Sequence, residues 1–316
     1  MAAEFLRSHG VDLDGEMRKI QPGSSEGSGC ARTASSDNAR AVTNASLPES
    51  PHGSRWTIQL DAVSGRISDI KTCDKAPHPT SGDDGIDARG ALLAPSLCHP
   101  HIHLDKAYLL SHPKYSHLRI ERGDFAEAMT ITGQAKAMFE HDDLLERGQR
   151  VIDESIAAGV THMRAFVELD VGVGTKCLDA GLDLKRKAES SCLVQVCAFA
   201  QLPLFSSSPN DEDGNVIRDL MESAAYKEGV DVLGSTPYVE SDRRKMEQNV
   251  AWLFDLAIEH NKHIDFHLDY NLDPAIEPLV WHVVATAKNK DWTIRNANRT
   301  IVLGHCTRLT LLSDSQ

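Results

Sequence analysis

Beyond residue 90 the apolar residues fall into two alternating textures. Short, nearly continuous runs have the length and composition of buried strands: Val160-Thr-His-Met-Arg-Ala-Phe-Val167, Cys192 to Phe199, Val230 to Leu233, His263 to His267 and Thr300 to His305. Between them, residues 125–139, 144–158, 178–190, 216–227, 242–260 and 277–288 repeat their apolar positions with a helical period, and Gly159 and Gly229 stand where helices stop. An earlier apolar run, Ala91 to Leu97, leads into His101-Ile-His103 and supplies the first strand of the series. Strands and helices in strict alternation mean parallel βαβ units, wound either as an open doubly wound sheet or as a barrel. The series holds six strands, two fewer than a closed (β/α) barrel requires.

The texture differs upstream. Residues 1–38, with Gly23-Ser-Ser-Glu-Gly-Ser-Gly29 and Thr33-Ala-Ser-Ser-Asp37, offer too little apolar surface to offset the entropy of ordering, which predicts a disordered extension. Residues 39–94 read as a small β module: Trp56 to Leu60 and Gly65 to Ile70 alternate with period two, and residues 74–84 are rich in turn formers. The predicted organisation is therefore an extension (1–38), a β module (39–94) and a βα domain (95–316).

Composition excludes several classes of partner. A net charge of −13 disfavours nucleic acid and anionic membranes, which need basic surface, and suits a small neutral or cationic substrate. No apolar stretch approaches the roughly 20 residues of a membrane span. The N-terminus lacks a signal-peptide pattern, which places the chain in the cytoplasm. The seven cysteines are scattered and odd in number, as expected for reduced thiols. Homo-oligomerisation is compatible with all of this.

Histidine carries the chemistry. His101 and His103 lie two apart on a strand and so present both imidazoles to one side. His267 and His305 end two later strands, and in a parallel βα series all strand C-termini share one rim. Each histidine alone is explained by core hydrogen bonding or helix capping, but four on one rim point to a metal site. Gly172-Val-Gly174 is only a fragment of a phosphate loop, since Cys177 stands where the third glycine belongs.

The order His-x-His, His, His after a small β module resembles the amidohydrolase superfamily. Pro100-His-Ile-His-Leu-Asp-Lys106 resembles its cytosine deaminase and N-isopropylammelide amidohydrolase branch. Weaker similarities run in order through Ala158 to Arg164, Ala198-Phe-Ala-Gln201 and Gly234 to Tyr238, with Asn44 to Pro48 and Ile86 to Gly90 at the edges of the β module. The resemblance implies a TIM-type barrel, here about six of eight units, preceded by a small β-sandwich. It further implies one Zn²⁺ or Fe²⁺ bound by His101, His103 and His267, activating water to attack the carbon of a non-peptide C–N bond in a cyclic amidine or amide. His305 would orient the water and stabilise developing charge, while Gln201 and Lys106 would bind substrate.

Two departures from the pattern stand out. Where these deaminases carry a proton-shuttling glutamate, three residues after the fifth-strand histidine, this chain has Tyr270, a poor base at neutral pH. Asp269 is the nearest carboxylate able to substitute, with Asp273 and Glu277 further on, though each also reads as a loop or helix-start carboxylate. The family's remaining ligand, an aspartate after the eighth strand, has no counterpart in the series, and Asp314 sits in the wrong element to supply it. A rival expectation follows: an inactive or truncated remnant that binds metal or ligand, or a partial gene product.

Overall fold

A computed structural model describes residues 40–73 and 85–313. The expected disordered extension, the turn-rich segment 74–84 and Asp314 lie outside these residues. The described residues divide into two compact units between Pro95 and Ser96.

In the first unit, β1 (Ala41–Ala45), β2 (Trp56–Leu60), β3 (Ile67–Thr72) and β4 (Gly85–Asp87) form one sheet in the order β3-β2-β1-β4. β1 pairs antiparallel with β2 and parallel with β4. The described residues of this unit form a single sheet and do not show the expected sandwich. Only Ala45 and Ile58 of these strands are buried, so this unit contributes little to the core.

The second unit is a six-stranded parallel sheet of β5 (Leu97–His103), β6 (Val160–Glu168), β7 (Leu193–Ala200), β8 (Val230–Ser235), β9 (His263–Leu268) and β10 (Ile301–His305). Its order, β10-β9-β8-β7-β6-β5, follows the sequence without reversal. A doubly wound sheet reverses direction at a switch point; one that never reverses has the winding of a (β/α) barrel. Between the strands run α1 (Phe125–Lys136), α2 (His141–Ala157), α3 (Lys176–Ala188), α4 (Asn215–Tyr226), α5 (Arg243–Glu259), α6 (Val280–Asn289) and the short α7 (Trp292–Arg295). No described helix is long and apolar enough to cross a membrane.

Period-two alternation gives the sheet two different faces. One face packs on the helices in a large core that includes Val167, Val194, Val196, Leu233, Ile264 and Leu268. The other carries a small separate cluster of Phe166, Cys197, Phe199 and Val232. Below that cluster, Arg164 of β6 reaches Asp265 of β9 at 2.8 Å and also donates to Gln195 of β7. This buried ion pair braces strands that are not neighbours in the sheet.

Candidate active site

The first strand begins later than its apolar run suggested. β5 starts at Leu97 and runs through the histidines, so Ala91 to Pro95 belong to the preceding unit. The register of β5 on β6 slips between His99 and Ile102, at Pro100-His101. Proline has no N–H to give a ladder, and such irregularities belong at edge strands, where β5 sits among the described residues. Past the slip, His103 pairs with Phe166 and the two rings stack at 5.0 Å.

His101, His103 and His267 converge. Each offers a ring nitrogen within 4.8 Å of the others, and no other group in the described residues meets the same criterion. The His101 and His267 rings stack at 4.5 Å on Phe166 and Phe199, at 4.4 Å from His101 to Phe166 and 4.4 Å from Phe199 to His267. Burial on this aromatic floor lowers the pKa of all three: that of His267 falls to about 2, and His103 drops well below its ordinary value, with Lys106 adding to the effect of burial. The imidazoles are therefore neutral at physiological pH, the form that ligates metal. His103 Nδ1 and His267 Nε2 are buried with no hydrogen-bond partner among the described residues. A buried polar atom left without a partner is costly, and a divalent ion satisfies both nitrogens at once, so the residues present fit a metal.

Space behind the histidines is held open by glycine. A Cβ on Gly304 of β10 would come within 3.1 Å of His267 Cδ2 and 3.7 Å of His101 Cε1. His305 follows with φ +67° and Cys306 with φ +52°, two successive non-glycine residues in the left-handed region. The His305 ring meets that of His267 edge-on at 4.9 Å.

A cavity of about 260 Å³ opens over the cluster, lined by His103, His267, His305, Lys106, Gln201 and Tyr238 together with Lys136, Glu168 and three residues of α1. Lys106 Nζ donates to Gln201 Oε1 at 3.3 Å and lies 3.5 Å from Glu168 Oε2. Tyr238 is pushed up to about 12, chiefly by burial, and stays a neutral phenol. Lys136, from the last turn of α1, donates to Glu168 Oε1 at 2.8 Å and also to Asp170. Burial opposes its charge, but the two carboxylates outweigh burial and raise its pKa. Asp105 accepts from the Glu168 N–H at 3.1 Å and is pushed up to about 6, mainly by burial.

The structure thus gathers six of the eight residues singled out from sequence: His101, His103, His267, His305, Gln201 and Lys106. Asp269 and Tyr270 go elsewhere. Both line a neighbouring cavity of about 430 Å³ with Arg243, Asn271 and Glu277, while Tyr238 borders both cavities. The Asp269 carboxylate accepts the Leu279 N–H at 2.8 Å and the Val280 N–H at 2.9 Å, capping α6. Asp273 accepts the Ala275 N–H in an exposed turn. Glu168 and Lys136 were not singled out from sequence, although a charged residue directly after the Val160 to Val167 run was a signal for the rim.

Comparison with known proteins agrees with this geometry. No family profile matches the chain. N-isopropylammelide isopropyl amidohydrolase of Pseudomonas sp. (strain ADP) is 26% identical over 193 residues, covering 58% of this chain and 43% of that protein. The crystal structure of 5-methylcytosine deaminase from Klebsiella pneumoniae with 5-fluorocytosine superposes with a TM-score of 0.70 at 26% identity, over 87% of this chain and 60% of that one. The chain is similar to members of the amidohydrolase superfamily, in its cytosine-deaminase-like branch. N-isopropylammelide isopropylaminohydrolase from Burkholderia multivorans shares the fold, with a TM-score of 0.62 at 20% identity over 88% of this chain and 63% of its own. The chain spans less than half the length of the curated relative and about three-fifths of the solved structures.

Proposed function

We propose that this chain carries a metal-dependent hydrolase site that deaminates a cyclic amidine or amide, such as a pyrimidine or triazine. The observation that supports it most is the convergence of His101, His103 and His267 with two buried nitrogens left unpartnered. These three residues would hold one divalent ion, Zn²⁺ or Fe²⁺. When bound, the ion supplies the Lewis acidity that brings the pKa of water toward neutrality.

The protein's own groups do the rest. Phe166 and Phe199 exclude solvent from the floor and keep the imidazoles neutral. His305, edge-on to His267 at the rim, orients the attacking water and stabilises charge that develops on the substrate. Gln201 and Lys106, joined by a hydrogen bond, present donors and an acceptor to an amide-like edge of the ring. The net reaction joins the water oxygen to ring carbon and releases ammonia or an amine.

The test is metal analysis of the purified chain together with an ammonia-release screen over cytosine, isocytosine and triazine-type compounds. One zinc or iron per chain is expected, lost in His101→Ala and His267→Ala. A folded chain that retains no metal overturns the proposal. A second reading, metal binding without turnover, is favoured by the ligand group itself, which contains three histidines and no carboxylate among the described residues. Stoichiometric metal with no ammonia from any ring would select it.

A further inference from the structure

Glu168 is fully buried at the end of β6 and is the sole carboxylate among the described residues lining the histidine cavity. Its two oxygens have different fates. Oε1 accepts the Lys136 ammonium at 2.8 Å, whereas Oε2 accepts no hydrogen bond among the described residues and lies 3.5 Å from Lys106 Nζ. A buried carboxylate oxygen left bare costs more than a neutral group would, so it calls for a donor. The charges around it are fixed by the fold: Lys136 is shared with Asp170, and Asp105 is bonded to the Glu168 backbone N–H.

We infer that Glu168 is a specificity-determining residue of this cavity, its Oε2 accepting a ring N–H of the bound molecule. Lys106 Nζ, beside it, donates to the carbonyl next to that N–H. The pair reads the N–H/C=O edge of a cyclic amide or ureide, and rejects a ring whose nitrogen at that edge carries carbon instead. The inference rests on the cavity being the substrate site, but it does not need the metal to be bound.

The experiment is isothermal titration of the metal-free chain with uracil and with 1,3-dimethyluracil, which keeps the carbonyls and removes both N–H groups. Wild type should prefer uracil by about tenfold to hundredfold, the value of one charge-assisted hydrogen bond. In Glu168→Gln the amide oxygen must stay on Lys136, which offers only donors. The amide NH₂ then replaces Oε2 and faces the ring N–H donor to donor. The preference for uracil should collapse while affinity for dimethyluracil is unchanged. A wild type that binds both rings alike or neither, or a folded Glu168→Gln that keeps the preference, overturns the inference. Should the variant not fold, the ring N–H resonance of ¹⁵N-uracil bound to wild type decides. A downfield move on binding supports contact with the carboxylate, and a resonance at the free-ligand position refutes it. Zinc uptake measured on the same preparation separates the two readings: uracil discrimination without metal retention leaves this one standing and the hydrolase proposal fallen.

Discussion

Removing the Asp269 carboxylate should unfold the protein more readily without emptying the histidine site. Asp269 is 6% exposed, and the N–H groups it accepts belong to Leu279 and Val280, themselves 4% and 6% exposed, so water has little access to replace it. Asp269→Ala strands two buried donors at about 1–3 kcal/mol each. It also removes a negative charge from a helix N-terminus, worth about 0.3–2 kcal/mol. These contributions overlap, and a net loss of about 3–4 kcal/mol is expected. Asn at this position keeps one oxygen for one N–H and turns its NH₂ toward the other, so about half that loss should remain. Equilibrium urea denaturation ranks the three proteins, and zinc uptake should stay near one per chain in all of them. An Asp269→Ala protein within about 0.5 kcal/mol of wild type, the scatter of neutral surface changes, would refute the capping argument. An Asp269→Asn protein of full stability that had lost all ammonia release would return Asp269 to the role of proton carrier.

Acid should destabilise the metal-free protein in a definite window. The folded pKa of His267 is depressed to about 2, so below the unfolded value near 6.5 the unfolded chain binds the extra proton and stability falls as pH drops. The slope attributable to His267 is about 1.4 kcal/mol per pH unit, and denaturation midpoints at pH 7 and 5.5 in wild type and His267→Gln measure it. Gly304→Ala places a methyl 3.1 Å from His267 Cδ2, and the displaced ring should lower zinc affinity by roughly tenfold, read by competition with a chelating dye. Lys136→Met leaves the buried carboxylates of Glu168 and Asp170 without their shared cation and should cost about 3–5 kcal/mol by urea denaturation.

The rim histidines were legible because their geometry is encoded locally: a spacing of two puts His101 and His103 on one side, and strand ends put His267 and His305 on the same rim. Winding was not legible, since periodicity gives the order of elements but not which strands are adjacent; only the pairings of β5 through β10 exclude the doubly wound alternative. β1 and β4 escaped pattern reading at five and three residues, too short to show alternation, although Asn44 to Pro48 and Ile86 to Gly90 had marked their neighbourhoods. Glu168 was overlooked because a carboxylate after an apolar run reads as the point where a strand meets water, and its cation arrives from Lys136, 32 residues earlier. Asp269 hid its particular partners for a related reason. It stands beside His267 in sequence, but its partners lie 10 and 11 residues ahead across an irregular stretch with no helical period to announce them.

That same bond divides the rim into parts that can change separately. Asp269 ties the exit of β9 to the start of α6 through its carboxylate, and its carbonyl accepts the Arg308 N–H from beyond β10. Residues 270–278 therefore form a closed excursion whose two ends are pinned independently of its content. They supply Tyr270, Asn271, Ile276 and Glu277 to the larger cavity and nothing to the histidine cluster. Loop replacement between Asp269 and Leu279 is thus a route to changing what docks beside the site while leaving the three imidazoles where they are.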